Sequence, residues 1–215
     1  MAVEDFTGYT EVDPDTTITV TATKIAVDEC SDDTYVYDDK GADHFGASWD
    51  HDYEHTSRDI SSGDKQGAVA VSNTVDDAAA WLSNNNEAVG AYFRRYYDVG
   101  YKNRYFICDY EDGDTDGSSY ECDATGTKYY LTFKRTSETN VSLEIYSDSG
   151  RTSLEDTVSV TITSGRRYRY IFGIEHSAAG SVTVDFDVEN LDLQEAAGGI
   201  SIPVVMRTYR NRRVA

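Results

Sequence analysis

At residues 157–163 the chain has the sequence Thr157-Val158-Ser159-Val160-Thr161-Ile162-Thr163, in which hydroxyl and branched apolar side chains alternate strictly. The same period of two recurs at residues 17–23 and 181–188. Because successive side chains of a β-strand point to opposite faces, each stretch predicts a strand with one apolar and one polar face. Such alternation is typical of antiparallel sheets that bury one face and expose the other to water.

Further strand candidates follow along the chain, and turn-forming residues separate them. The candidates are residues 34–37, 48–56, 68–72, 89–97, 103–110, 128–135, 141–146 and 167–174. The turn signals lie at residues 40–41, 62–64, 98–101, 112–117, 148–150 and 178–180. Many short strands with regularly spaced turns predict an all-β fold, an antiparallel jelly-roll sandwich.

One segment departs from the strand pattern and predicts a single short helix over residues 75–82. It contains three successive alanines, Ala78 to Ala80, which favour a helix. Thr74 is placed to cap this helix, and Asp76 and Asp77 would lie in its first turn, where negative charge is favourable. We expect this helix to be a short connection between two strands and not part of a second domain.

Charge divides the chain into two parts. All 39 acidic residues lie in residues 1–195, where 15 Lys and Arg leave a formal charge of −24. Residues 196–215 contain four arginines and no acid. We therefore predict a jelly-roll domain over residues 1–195 and an extended basic C-terminal arm over residues 196–215.

The arm joins an apolar segment to arginines, a composition that indicates a docking peptide. Three interpretations stay open: a disordered basic end, a strand packed on its own domain, and docking onto a partner or symmetry mate. We favour docking, with the apolar part supplying burial and the arginines facing an acidic partner surface. The residues predicted to dock are Ile200, Ile202, Val204, Met206, Arg207, Tyr209, Arg210, Arg212 and Arg213.

The bulk composition argues against two classes of protein. A net charge of −20 does not suit a nucleic-acid-binding domain, because phosphate contacts need clustered Lys and Arg. No apolar run approaches the ~18 residues of a membrane span, and no signal peptide is apparent, so we expect a soluble protein made in the cytosol. The 26 Asp and six Lys are typical of high-salt environments; a solvated surface that resists aggregation is the alternative.

Several segments resemble concanavalin A-like (laminin G-type) jelly-roll domains, of the kind found in phage and environmental-virus surface proteins. They are Tyr35-Val36-Tyr37-Asp38-Asp39-Lys40-Gly41, Lys128-Tyr129-Tyr130-Leu131-Thr132-Phe133-Lys134-Arg135, and residues 5–13, 143–148 and 188–193. The resemblance implies a sandwich over residues 5–193. It also implies binding of glycans, proteins or calcium, or service as a virion surface part, without choosing among them.

The densest polar cluster is Trp49-Asp50-His51-Asp52-Tyr53-Glu54-His55. On a strand, its three acids share one face and its aromatic and histidine side chains share the other. Two close carboxylates would suit a glycosidase. The acids of this cluster, however, are not spaced as in the Glu-x-Asp-x-x-Glu motif of laminarinase-like enzymes, which the resemblance implies as relatives. We favour a solvent-facing acidic row over a core row. His51 and His55 would be roughly 13 Å apart, too far to share one metal ion.

Residues 112–123 partly match a calcium-binding loop, because acids occupy its first, third and fifth positions and Gly117 the sixth. The candidate ligands are Asp112, Asp114, Asp116 and Asp123. A solvated acidic turn is the alternative, so calcium is the one candidate cofactor. Cys108 and Cys122 flank a turn-rich stretch symmetrically about Thr115, and whether they pair stays open.

Tyrosines and arginines are interleaved from residue 92 to residue 105. Alternation would place Tyr92, Arg94 and Tyr96 on one side of a strand, where aromatic faces beside Arg could stack on a sugar. These three residues are the candidate glycan-binding set. A sheet face packed against its neighbours is the alternative.

Taken together, these patterns predict a non-enzymatic virion surface or decoration protein, anchored through its C-terminal arm and able to bind host glycans. The expected partners are other virion or assembly proteins, further copies of the chain and a glycan. The expected location is the virion surface after cytosolic synthesis. The alternatives are a free carbohydrate-binding lectin module and a laminarinase-like glycoside hydrolase.

Overall fold

The computed structural model describes residues 3–30, 33–60, 65–98, 100–111, 115–122, 125–176 and 183–194, which form two antiparallel sheets packed face to face. The predicted all-β sandwich is confirmed. The C-terminal arm, with every residue predicted to dock, lies outside the described residues. Within the described part, no helix is long and apolar enough to cross a membrane.

The described strands, numbered in chain order, form two sheets of seven. Sheet A has the order β1 (Thr10–Val12), β4 (Thr34–Asp39), β13 (Tyr170–His176), β6 (Lys65–Ser72), β7 (Ala88–Asp98), β8 (Gly100–Asp109) and β9 (Thr115–Cys122). Sheet B has the order β12 (Leu154–Thr161), β11 (Asn140–Tyr146), β10 (Lys128–Ser137), β5 (Trp49–Ile60), β14 (Val184–Asp192), β3 (Lys24–Cys30) and β2 (Ile18–Val20). A 3-10 helix (Phe6–Gly8) precedes β1, and helix α1 (Ala78–Asn84) joins β6 to β7.

The alternation at residues 157–163 has the predicted consequence. Val158, Val160 and Ile162 are buried in the core between the sheets, whereas Thr157 and Thr161 are exposed. Burying a valine or isoleucine side chain stabilises the fold by roughly 1.5–3 kcal/mol. Period-two patterns of this kind therefore fix which face of each strand points inward.

Helix α1 begins later than predicted. It spans Ala78–Asn84, and its N-cap is Asp77, whose side chain accepts a hydrogen bond from the Ala80 backbone N–H at 2.9 Å. The prediction of Thr74 as the cap was wrong, because Thr74 lies three residues before the N-cap Asp77, and its backbone N–H donates to the Ser72 hydroxyl. The helix ends after Asn84, and its C-cap Asn85 adopts a left-handed conformation with φ 55°.

The alternating stretch at residues 17–23 is a strand and a turn, not one strand. Strand β2 ends at Val20, and the chain reverses so that β3 can pair with it from Lys24 onward. The Thr21 hydroxyl accepts a hydrogen bond from the Lys24 backbone N–H at 3.1 Å. Hydrogen bonds made by threonine side chains can in this way replace those of strand pairing. The alternation in the sequence does not show where this happens.

Part of the segment predicted as a calcium-binding loop, residues 112–123, is a strand. Residues 115–122 form strand β9, in which Asp116 pairs with Cys108 and Glu121 with Arg104. The glycine suggested a loop, yet Gly117 serves close packing: a Cβ there would lie 2.3 Å from the backbone oxygen of Ser159. Asp112, Asp114 and Asp123 lie outside the described residues.

Cys108 and Cys122 lie on opposite faces of sheet A. Cys108 belongs to the apolar cluster under helix α1, whereas Cys122 packs against the core between the sheets. Their cross-strand neighbours are Asp116 and Asn103, respectively. The two thiols do not face each other, so the alternative of a disulfide across this hairpin is excluded.

Candidate functional site

Helix α1 packs on the outer face of sheet A, the face turned away from sheet B. Trp81 of the helix is fully buried, with its ring centroid 4.9 Å from that of Phe172 and 5.7 Å from that of Tyr110. Ala70 and Phe106 belong to the same apolar cluster, which is separate from the core between the sheets. The helix therefore covers the central strands of this face.

A buried carboxyl group ties the helix to the sheet. Glu175 on β13 is 1% exposed and accepts hydrogen bonds from the Ala78 backbone N–H at 2.8 Å and from the Tyr92 hydroxyl at 2.7 Å. Burial raises the pKa of Glu175 to about 7, although both hydrogen bonds oppose the rise. Gly67 on the neighbouring strand makes room, since a Cβ there would lie 1.7 Å from the Glu175 backbone oxygen.

The residues predicted to bind a glycan lie on this outer face, but only two of them are accessible. Tyr92 is 2% exposed and is occupied by its hydrogen bond to Glu175. Arg94 and Tyr96 are half-buried, and the Tyr96 hydroxyl donates to Glu121 at 3.0 Å. A surface ligand could therefore contact Arg94 and Tyr96 and could not stack on Tyr92.

Three half-exposed tyrosines, Tyr35, Tyr37 and Tyr170, form what we call the tyrosine platform. Tyr35 and Tyr37 share the outer face of β4, and Tyr170 lies on the adjacent β13. The ring centroid of Tyr37 lies 6.0 Å from that of Tyr35 and 5.9 Å from that of Tyr170. Tyr37 also stacks on the buried ring of Phe172 at 5.7 Å, which fixes its position.

Charged side chains adjoin the tyrosine platform. Partial burial, and then the carboxylates of Asp76 and Asp77, raise the pKa of Tyr35. On the other side, the Arg169 guanidinium lies 5.1 Å from the ring centroid of Tyr170. Aromatic rings with polar groups at their margin can contact both the apolar and the hydroxyl surfaces of a ligand.

Cations from three neighbouring strands meet on another part of the outer face. Lys65 on β6 lies opposite Arg94 on β7, and Arg94 lies opposite Arg104 on β8. Lys102, also on β8, lies opposite Tyr96. We call Lys65, Arg94, Lys102 and Arg104 the basic strip; all four are half-buried.

The acidic row on β5 faces outward from sheet B, over a buried row of Trp49, Tyr53 and the two histidines. The predicted arrangement of a solvent-facing acidic row over a core row is confirmed. Glu54 pairs with Lys128 at 2.8 Å, and Asp52 pairs with Arg151 at 3.4 Å. These ion pairs make the row a charge-compensated surface.

The two histidines of β5 are core residues. His51 stacks on Trp49 with ring centroids 4.5 Å apart, and His55 Nδ1 is hydrogen-bonded to the Tyr105 hydroxyl at 2.7 Å. Burial lowers the pKa of each histidine to about 3, so both are neutral at pH 7. Among the described residues, no group of three or more His, Cys, Asp or Glu could hold a metal ion.

Sequence reasoning missed both Glu175 and the tyrosine platform. The sequence does hold an indication of Glu175, because it is a lone acid within the apolar strand Tyr170–His176. The indication of the tyrosine platform is weaker: Tyr35 and Tyr37 alternate with the buried Val36. Tyr170 joins them only through the pairing of β4 with β13, which no local pattern predicts.

Comparisons with known proteins show likeness at the level of the fold. No family model matches the chain, and no curated protein matches its sequence. A functionally unknown protein from Saccharomyces cerevisiae has a TM-score of 0.62 at 9% identity, over 90% of this chain and 100% of that chain. The VIP36 exoplasmic/lumenal domain in its Ca²⁺/Man2-bound form has a TM-score of 0.54 at 9% identity, over 88% of this chain and 82% of that one.

Alginate lyase Aly36B is a further structural neighbour, with a TM-score of 0.52 at 14% identity over 87% of this chain and 86% of that one. At such low identities the likeness shows the fold alone. These neighbours are consistent with the concanavalin A-like sandwich that the sequence resemblance implies.

Proposed function

We propose that this domain is a non-enzymatic carbohydrate-binding module whose ligand lies on the outer face of sheet A. The observation that carries the proposal is the tyrosine platform. Its three half-exposed rings lie side by side, with the Tyr37 centroid 6.0 Å from that of Tyr35 and 5.9 Å from that of Tyr170, and the neighbouring carboxylates of Asp76 and Asp77 can accept hydrogen bonds from sugar hydroxyls. The Man2-bound VIP36 domain supports the proposal because it shares the fold.

In this proposal the module is a virion surface or decoration component, held in its assembly by the C-terminal arm and present there in several copies. The support is the division of charge, with four arginines in residues 196–215 and all 39 acids before them. The high-salt setting belongs to the same proposal and rests on the abundance of aspartate. A free lectin module would share the tyrosine platform but would not need the arm.

We include calcium as a possible ligand in this proposal because the structural neighbour VIP36 is seen in a Ca²⁺-bound form. The described residues do not provide a ligand cluster, and Asp112, Asp114 and Asp123 lie outside them. We therefore derive no step of binding through the ion. Titrating the protein with calcium by calorimetry, with and without chelator, tests this part alone.

Replacing Tyr37 or Tyr170 by Ala tests the sugar site. The measurement is the affinity of the full chain for a dimannoside and for neutral glucan oligosaccharides, by calorimetry. Each replacement should weaken binding roughly tenfold, because a stacked ring contributes about 1 kcal/mol beyond its buried area.

The matched control is Tyr146→Ala, which removes a half-buried tyrosine from sheet B, where its hydroxyl donates to Glu144 at 2.8 Å. Melting curves check that all variants are folded. Unchanged affinity in both platform variants, or no binding of any neutral sugar by the native chain, would overturn the proposal.

A further inference from the structure

Glu175 lies at the junction between helix α1 and the tyrosine platform. On β4 its cross-strand neighbour is Tyr35, a residue of the platform, and on β6 its neighbour is Gly67. Its Oε1 accepts a hydrogen bond at 2.8 Å from the backbone N–H of Ala78, the first residue of the helix. One side chain on the strand beside the platform therefore holds the start of the helix.

The two residues before Ala78 supply the carboxylates at the margin of the platform. The Asp77 carboxylate accepts from the Ala80 backbone N–H at 2.9 Å, and the Asp77 backbone N–H donates to the Asp76 carboxylate at 3.1 Å. After partial burial, these two carboxylates are the main causes that raise the pKa of Tyr35. Because consecutive Cα atoms are only about 3.8 Å apart, the position of Ala78 restricts the positions of both carboxylates.

The surroundings of Glu175 keep its side chain in one place. It is 1% exposed, and its Oε2 accepts a hydrogen bond from the Tyr92 hydroxyl at 2.7 Å. A Cβ at position 67 would lie 1.7 Å from the Glu175 backbone oxygen and 2.9 Å from its Oε2, so glycine there leaves room for the carboxyl group. An acceptor held in this way fixes the donor that it binds.

We propose that Glu175 is a positioning residue of the sugar site: by holding Ala78 it keeps the Asp76 and Asp77 carboxylates beside Tyr35. The inference rests on the proposed function, because it concerns the same tyrosine platform. Glu175 does not itself reach a sugar, since its side chain is buried. Its effect on affinity passes through the start of helix α1.

Several titratable groups surround Glu175. Those that face it from the elements packed against it are Asp77 before helix α1, Lys65 on β6, Tyr92 on β7 and Tyr35 on β4, with Tyr110 and Cys108 acting on Tyr92 and His176 next along β13. Burial raises the pKa of Tyr92 and of Tyr35, and it lowers the pKa of His176. These three side chains therefore stay neutral near pH 7.

Ionisation of Glu175 should weaken its hold on the helix. Burial raises the pKa of Glu175 to about 7, against the two hydrogen bonds that it accepts; the charge of Asp77 adds to the rise and that of Lys65 opposes it. A helix released from the sheet would let Glu175 reach water and regain its ordinary pKa of 4.5. The docked state thus binds more protons between these pH values and is favoured at the lower pH. Sugar affinity should therefore fall as the pH rises through 7.

The first experiment measures the affinity of the full chain for a dimannoside by calorimetry at pH 6 and pH 8.5. The native chain should lose affinity about threefold or more between them. Glu175→Gln keeps an acceptor for Ala78 and cannot ionise, so it should bind equally at both pH values. Glu175→Ala removes the acceptor and should bind more weakly at both. The matched control, Glu155→Gln at an exposed position on β12, should follow the native chain.

The second experiment needs no sugar. The chain has two tryptophans, Trp81 of helix α1 and Trp49 of the core between the sheets, and both are buried. Quenching of tryptophan fluorescence by acrylamide should rise from pH 6 to pH 8.5 in the native chain, because a released helix exposes Trp81. It should not rise in Glu175→Gln.

The outcomes separate this inference from the proposed function. If sugar binds with the same pH dependence in the native chain and in Glu175→Gln, or if quenching rises equally in both, the inference is wrong and the proposed function stands. If no neutral sugar binds while quenching responds to Glu175→Gln as expected, the proposed function is wrong and the hold of Glu175 on the helix stands. Loss of the pH dependence in Glu155→Gln as well would also overturn the inference.

Discussion

Glu175 is an ionisable group in an apolar place, and its titration should be visible in the stability of the whole domain. Its pKa is raised to about 7 in the folded protein, above the ordinary value of 4.5. The folded state therefore binds more protons than the unfolded state between these two pH values. The stabilising contribution is complete below pH 4.5 and is lost as the pH rises through 7.

Glu175→Gln should remove this loss of stability at alkaline pH. Between pH 5 and pH 8 the native protein should lose free energy of unfolding on the order of 2 kcal/mol from this group, whereas the variant should not. Urea unfolding at a series of pH values measures the difference. Glu155→Gln, at an exposed position on β12, is the control and should follow the native curve. Parallel curves for native protein and Glu175→Gln would contradict the assignment.

At the scale of single residues, the sequence predicts which face of a strand a side chain lies on better than it predicts whether that side chain is buried. Alternation placed Asp52 and Glu54 outward and Tyr53 inward, as found. It also placed Tyr92 beside Arg94 and Tyr96, but it could not predict that helix α1 and Glu175 would bury Tyr92. Burial of that ring depends on contacts between segments 83 residues apart.

At the scale of elements, helix α1 covers part of the outer face of sheet A and leaves the rest accessible. Seven residues are too few for a stable helix in isolation. Its stability must come from packing, chiefly through Trp81, and from the Asp77 cap. The helix therefore depends on its packing against the sheet for its stability.

Trp81→Ala should destabilise the domain by about 3–5 kcal/mol, because it opens a large cavity against Phe172 and Tyr110. Leu82→Ala on the same helix removes a side chain that is 40% exposed and should cost much less. Thermal and urea unfolding compare the two. Equal destabilisation would mean that Trp81 does not anchor the helix.

Strand β9 shows why some elements escape prediction. Its composition of Asp, Gly and Ser is typical of a turn, and local propensity gives no other indication. Pairing with β8 and close packing against Ser159 override that propensity. Strands β1 and β3 are not among the predicted candidates. Most other strands lie where the sequence predicts them and differ from prediction mainly at their ends, where pairing partners decide the length.

At the scale of the molecule, the sequence predicts a sandwich and a charge division, and the candidate sites arise from sheet topology. The tyrosine platform needs β13 to lie beside β4, and the basic strip needs β6, β7 and β8 in register. Neither arrangement can be read from one segment. The charge division, in contrast, is visible in the sequence and leads to a prediction about assembly.

Truncation after Glu195 should leave the domain folded and abolish its self-association or its incorporation into a larger assembly. The described strands end at Asp192, so the truncation removes none of them. Light scattering after size exclusion measures the mass of both forms, at low and at high salt. Raising the salt should weaken association of the full chain, since arginines facing an acidic surface are screened. A truncated chain that associates normally would contradict docking by the arm.

The approach of β9 to β12 has a consequence for how this protein can meet other chains. Sheet A ends at β9 and sheet B at β12, and the Ser159 backbone N–H donates to the Ser118 hydroxyl at 2.8 Å between them. The opposite ends are β1 and β2, each of three residues. Sheets with occupied or very short edges offer little template for an incoming strand, which guards against edge-to-edge aggregation. An arm from a neighbouring copy should therefore be held by its side chains, and not by extending a sheet.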